Sequence, residues 1–256
     1  MAGIGGTASA EDELFFIKLQ QAYHIVQRKM TPKFTSFLDE GQVFLARRYI
    51  EQYRLENTLF WGGYKDAKRC MLGFFPDYME PTEDAFPMAS FTALYRKADC
   101  LSHRDFLGSL MALQIKREAV GDILVSEGSC VMFVTDKVAP LVSGEISKIG
   151  RVGVKIEPGI TMPISAEEKF QEISGTVASL RLDCMVALLT GKSREKAGDF
   201  IKAGIVSLNY RVEEKSSISV TAGDILTVRG FGKAKVSTEI NQTKKGRYFV
   251  LLQKYV

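Results

Sequence analysis

The chain has 256 residues, 46% of them hydrophobic and 25% charged, and a net charge of +4. This ordinary globular composition allows one large domain or two to three small ones, each able to bury a core. The longest apolar run, Cys184 to Leu189, is far short of the roughly 20 residues that span a membrane. The small, glycine-containing and then acidic start, Met1 to Asp12, lacks the basic and apolar stretches of a secretory signal, so a cytoplasmic protein without membrane contact is expected.

In chain order, Glu11 to Met30 predicts an amphipathic helix with Phe15, Leu19, Ala22 and Val26 on one stripe, broken by Thr31-Pro32. A second helix is predicted over Asp39 to Arg54, a turn at Trp61-Gly62-Gly63-Tyr64, and a strand from Arg69 to Phe75 that ends at Pro76-Asp77. Together these read as a small α/β domain over residues 1–80. From Phe91 the pattern changes. A strand over Phe91 to Lys97 precedes a helix from Ser102 to Gln114, with Ser102 as its N-cap. Strands Asp122 to Val125 and Cys130 to Thr135 flank a Glu127-Gly128 turn, followed by a helix over Ala139 to Ile149 and a strand over Arg151 to Glu157. This βαββαβ order predicts a ferredoxin-like sandwich over residues 81–162. A linker rich in Pro, Gly and charge, ending in Ser165-Ala166-Glu167-Glu168-Lys169, leads to a domain over residues 173–256. Its expected elements are helices at Ser179 to Leu189 and Ser193 to Lys202, then strands near Ile205 to Leu208, Ile225 to Arg229 and Tyr248 to Gln253. The fold class expected is therefore α+β.

Charge is uneven. From Ile173 onward 14 cations face 7 anions, a net +7 that leaves −3 on the rest of the chain. A basic end of this kind suits a polyanion, and it also suits a solvated face. The two short helices concentrate the useful chemistry. Leu182, Met185, Val186 and Leu189 form a core stripe beside Arg181, while Ala197, Phe200 and Ile201 face inward on the second helix. Arg181, Lys192, Ser193 and Arg194 converge near one helix start, where free N–H groups and the helix dipole favour phosphate. Arginine supplies a rigid bidentate fork. Asp183 is expected to orient Arg181 or a backbone amide. Lys196, Lys202, Lys233, Lys244, Lys245 and Arg247 are expected to add phosphate contacts.

Catalytic motifs fail on inspection. His103-Arg104-Asp105 looks like part of a kinase loop, but Leu110 stands where that loop needs Asn, so Ser102 to Asp105 reads as a helix start. Cys70, Cys100, Cys130 and Cys184 are widely spaced and the only histidines are His24 and His103, so no zinc site or other cofactor is expected, and the thiols are expected reduced and mostly buried.

Arg181-Leu182-Asp183, Ser193-Arg194, Ala197, Ile201, Gly204, Val206, Asn209 and Gly223-Asp224 resemble the S4 RNA-binding domain over about Ser179 to Gly230. Tyr210 departs from that pattern, which usually places Gly after the Asn; an altered turn follows, and a ring that could stack on a base or ribose. Gly62-Gly63-Tyr64, Pro76-Asp77-Tyr78, Leu101 to Gly108, Ile115 to Glu118, Gly121-Asp122-Ile123, Gly230 to Lys233 and Thr243 to Arg247 are similar to the YlmH-type proteins across nearly the whole chain. That resemblance implies an RRM-like middle domain, a C-terminal S4 domain and a non-enzymatic, monomeric, ribosome-associated factor. Its partners would be large-subunit ribosomal RNA and neighbouring tRNA, in the quality control of stalled chains. The middle strand Cys130-Val131-Met132-Phe133-Val134 lacks the basic-Gly-aromatic pattern of RNA-reading RRMs. Phe133 is therefore expected in the core, and Arg104, Lys116 and Arg117 read as a basic patch or an exposed helix end. Two alternatives stay open. One is an RNA-modifying enzyme targeted by its S4 domain, since Arg181-Leu182-Asp183 mimics part of a pseudouridine synthase signature; Leu180, Val186 and Leu188 break that signature. The other is an adaptor whose main partner is a protein.

Overall fold

The computed structural model describes residues 10–164, 170–243 and 246–255, which fall in two compact units, residues 1–166 and 167–256. The stretches 1–80 and 81–162, expected as two domains, lie in the first unit, and the expected linker run at 165–169 lies outside the described residues.

The first unit opens with α1 (Ala10–Lys29), whose acidic first turn and basic last turn complement the helix dipole. After β1 (Lys33–Phe34), a reciprocal cap starts α2 (Glu40–Tyr53): Gln42 N–H donates to Asp39 Oδ1 at 2.9 Å and Asp39 N–H to Gln42 Oε1 at 3.0 Å. Strands β2 (Thr58–Trp61) and β3 (Met71–Phe74) complete an antiparallel sheet of order β1-β3-β2. Trp61 therefore ends a strand that the sequence concealed inside an expected turn.

Next come β4 (Met88–Leu94), α3 (His103–Ala112), β5 (Val120–Ser126), β6 (Ser129–Thr135) and α4 (Ala139–Glu145). A small hairpin of β7 (Lys148–Ile149) and β8 (Val152–Gly153) leads to β9 (Lys155–Pro158). The strands pair antiparallel in the order β5-β6-β4-β9. Three expectations need correcting. The strand read over Arg151 to Glu157 is two, broken at Val154, with β8 paired to β7 and β9 to β4. The helix read to Ile149 stops at Glu145; Val142, Ile146 and Ile149 are all buried in one core, so their 4- and 3-residue spacing imitates a helix across a bend and a hairpin. Strand β4 starts and ends three residues earlier than Phe91 to Lys97, since its ladder with β6 runs from Met88 against Thr135 to Leu94 against Ser129.

Strands β3 and β6 are buried on both faces. Leu72 and Phe74 of β3 pack with Leu19 and Val26 of α1 and Ala46 and Tyr49 of α2. Cys130, Met132 and Val134 of β6 pack with Phe106 and Leu110 of α3 and Val142 of α4. The residues between them, Met71 and Phe75 from one sheet and Val131 and Phe133 from the other, meet in a third core with Phe37 and Phe86. The unit is thus four layers: helices, sheet, sheet, helices. Gly63, at φ +95°, permits the approach, because a Cβ there would overlap the Phe133 ring. Tyr64 stacks on that ring at 5.3 Å and donates its hydroxyl to Asp122 at 2.8 Å.

The second unit begins with β10 (Phe170–Val177), earlier than the residue 173 expected. Helices α5 (Leu182–Thr190) and α6 (Arg194–Lys202) follow, then β11 (Val206–Leu208), β12 (Arg211–Val212), β13 (Ile225–Val228), β14 (Gly232–Val236), β15 (Asn241–Gln242) and β16 (Tyr248–Tyr255). The antiparallel sheet runs β10-β16-β14-β13-β11-β12, with β15 beside β16. Both helices cover one face: Leu182, Met185, Val186, Ala197 and Ile201 share a core with Val228, Ala234, Val236, Val250 and Leu252. Among the described residues no helix is long and apolar enough to cross a membrane.

Candidate nucleic-acid interface

The residues around Asp183 form the densest polar cluster of the second unit. Arg181 is the N-cap of α5, held by a bridge to Ser219. Asp183 lies in the first turn and is only 6% exposed. Its carboxylate accepts from Arg181 Nε and Nη2 at 3.3 and 3.4 Å, from Arg194 Nε at 2.8 Å and from the Cys184 N–H at 3.0 Å. Burial pushes this carboxyl up, but Arg194, by hydrogen bond and charge, and then Arg181 outweigh burial and hold it below the usual carboxylate range. The same hydrogen bond, donated by Arg194 to Asp183, holds the Arg194 guanidinium above its ordinary range and protonated. Both arginines remain open to solvent, with side chains 41% and 52% exposed. The expected role of Asp183 as an orienter thus extends to a second arginine, eleven residues further along the chain.

Ser193 is the N-cap of α6 as expected, accepting from the Lys196 N–H at 3.2 Å. Arg181, Asp183, Ser193 and Arg194 therefore sit together at the starts of two packed helices, with Lys192 exposed beside them. Lys196 leans away, 3.5 Å from Asp199 and 5.7 Å over the Phe200 ring. Lys202 closes the last turn of α6, about 12 Å of helix rise from Arg194.

Asn209, part of the S4-like pattern, sits in the β11–β12 turn with its amide bonded within the fold. Its Nδ2 donates to Asp224 Oδ1 at 2.8 Å and its Oδ1 accepts from the Ile225 N–H at 2.9 Å, so its amide pins the β11–β12 hairpin to the loop before β13. Asp224 in turn accepts from the N–H and hydroxyl of Thr221 at 2.7 and 3.1 Å. Tyr210 holds the second turn position at φ 67° beside Asn209 at φ 51°, the paired left-handed geometry of a two-residue hairpin. The turn expected to change keeps its shape, at a strain of order 1 kcal/mol for a non-glycine residue. Lys233 reaches over from β14, its ammonium 5.9 Å from the Tyr210 ring and 4.4 Å from that of Tyr255. Arg247 donates to the Thr176 carbonyl at 2.8 Å. Lys244 and Lys245 lie outside the described residues.

Phe170 and Tyr255 escaped notice in the sequence. The signal was the register of two alternating strands, visible only once β10 is paired with β16. Among the described residues no group of three or more His, Cys, Asp or Glu side chains could hold a metal. Cys70, Cys130 and Cys184 are buried free thiols and Cys100 is exposed; burial pushes the Cys70 thiol up to about 11.

Residues 81–164 match the family described as "Putative RNA-binding domain in YlmH". The "Ribosome-associated protein quality control protein P2" of Bacillus subtilis (strain 168) is 32% identical over 247 residues, covering 95% of this chain and 96% of that protein. The chain belongs to the YlmH family. A solved structure, "Cell division protein ylmH from Streptococcus pneumoniae", is similar with a TM-score of 0.53 over 62% of this chain and 96% of that one. Its identity of 23% makes this a likeness of fold.

The YlmH-type segment at 81–164 contains the β5-β6-β4-β9 sheet. Sheets of this strand order that read single-stranded RNA stack bases on the helix-free face. Here that face belongs to the third core: Val131 is 4% and Phe133 1% exposed, under Gly63 and Tyr64. The patch suggested by Arg104, Lys116 and Arg117 also dissolves, because Arg117 turns inward. Its Nη1 donates to the carbonyls of Val120 and Gly121 at 2.7 and 3.2 Å.

Proposed function

We propose that this chain is a non-enzymatic RNA-binding protein of the translation apparatus, acting in the cytoplasm as a monomer. Its second unit is an S4-type domain that grips structured RNA of the large ribosomal subunit beside tRNA, in ribosome-associated quality control. The layer formed by β5-β6-β4-β9 and its two helices is RRM-like in strand order, and it serves as scaffold. One observation carries this reading: a buried carboxylate fixes two half-exposed arginines at adjoining helix starts. Preset guanidiniums at the positive ends of two helices suit phosphates of a folded strand, although the first N–H groups of α5 are taken by Ile218, Ser216 and Arg181 carbonyls. The name of the Bacillus subtilis relative supports the setting.

The test is sucrose-gradient co-sedimentation with purified ribosomal subunits, wild type against Arg181→Ala/Arg194→Ala, at low and high salt. Wild type is expected to travel with the large subunit and to leave it as salt rises. The double variant is expected to bind at least tenfold more weakly, at roughly 1.5–3 kcal/mol per charged hydrogen bond. Equal migration of a folded double variant would remove the helix starts as the grip.

A further inference from the structure

The face of the second unit's sheet away from α5 and α6 carries its own pattern. Alternation along β10 and β16 sends Val177, Val250 and Leu252 into the helix core. It leaves Phe170 and Tyr255, direct register partners, on the opposite face. Their rings meet edge to face at 4.9 Å, and Phe170 is 40% exposed. Lys233 on β14 seats its ammonium 4.4 Å over the Tyr255 ring and 5.9 Å from the ring of Tyr210. Exposed Lys235 lies one step along the same strand face. Phe170, Tyr255, Lys233 and Tyr210 thus form a line from the edge strand β10 to the β11–β12 turn, on the side of the sheet without helices.

We propose that this line is a second RNA site, a stacking platform for two or three unpaired nucleotides. It deepens the RNA-binding reading given above and rests on it. Aromatic faces take any base, and a cation between the rings can pair with the phosphate joining two stacked nucleotides. A duplex offers no free base faces, so the occupant is single-stranded. Charge complementarity favours RNA over an apolar peptide, since the segment from Ile173 carries a net +7. The left-handed Tyr210 adds weight: strain kept at an aromatic side chain beside a cation points to a use for the ring.

Fluorescence anisotropy on the full chain tests this, with labelled decauridine and decaadenosine as single strands and a stable RNA hairpin as the structured probe. Phe170→Leu/Tyr255→Leu should weaken single-strand binding about tenfold or more while hairpin binding stays within about twofold. Lys233→Gln should weaken the single strand and flatten its salt dependence by about one phosphate contact. Arg181→Ala/Arg194→Ala should do the reverse, losing the hairpin and keeping the single strand, so the two sites can fail separately. Should the leucine variant not fold, photocrosslinking of wild type to 4-thiouridine decamers replaces it, with adducts expected at Phe170, Tyr210 or Tyr255. Adducts confined to α5 and α6, or single-strand binding unchanged in a folded leucine variant, would overturn the platform. So would wild type that ignores single strands while the leucine variant loses ribosome binding, which would mark a protein-binding face.

Discussion

Asp183 shows how one anion can serve a cationic surface. Removing it raises the net positive charge, and simple attraction would then favour RNA. Its carboxylate instead fixes two guanidiniums, each with several rotatable bonds, in one arrangement before RNA arrives. Asp183→Asn is therefore expected to lower affinity for a structured RNA by about fivefold to a hundredfold, since each of the two freed side chains costs about 0.5–1.5 kcal/mol to order again, while binding to an unstructured polyanion stays equal or tightens. Titration by calorimetry separates the two. Because the folded-state carboxyl lies below its unfolded value of about 3.9, its stabilisation is complete above that value and is lost as pH falls through the lowered one. Thermal melts between pH 6 and 2 should show a drop that is smaller in Asp183→Asn. At Tyr210 the trade runs the other way. Tyr210→Gly relieves the left-handed backbone, and even after the entropy of glycine it should raise stability by roughly 0.5–1 kcal/mol in chemical denaturation.

At the scale of elements, much of the candidate site was legible because its chemistry is local. The α6 boundaries, the Ser193 cap and the neighbourhood of Arg181, Ser193 and Arg194 follow from helix spacing and capping rules, whereas α5 starts at Leu182, three residues later than its spacing suggests, with Arg181 as its cap. What stayed hidden depends on pairing between distant strands. β10 reads as a polar, glycine-containing stretch until β16 covers it residue by residue from Phe170 to Val177. The double burial of β3 and β6 was equally silent, since Met71 to Phe75 and Cys130 to Val134 look the same whether one face or two are covered. Gly63 is the position where that packing is most exposed to change. Gly63→Ala must displace the Phe133 ring and strain a φ of +95°, so it should destabilise the first unit by about 2–4 kcal/mol. The single tryptophan, Trp61, stands beside this core and would report the loss in a urea titration by fluorescence.

For the whole molecule, the two units divide the labour of charge. The basic excess lies in the segment from Ile173, and the remainder of the chain is slightly acidic. The first unit packs a set of aromatic side chains in its interior, with Phe34, Phe75 and Phe86 in mutual ring contact and Tyr64 on Phe133, while Tyr53 and Tyr78 stay exposed. Four layers sharing a central core imply one cooperative transition for helices and sheets alike. The family match begins at residue 81, yet Val131, Phe133, Leu124 and Met88 beyond that point are roofed by residues before it. A fragment of residues 81–164 should accordingly expose a flat apolar sheet face, bind a hydrophobic dye and precipitate, whereas residues 1–164 should stay monodisperse in size-exclusion chromatography. The edge of the matched segment at residue 81 is thus no place to cut the polypeptide: solubility belongs to the two sheets together.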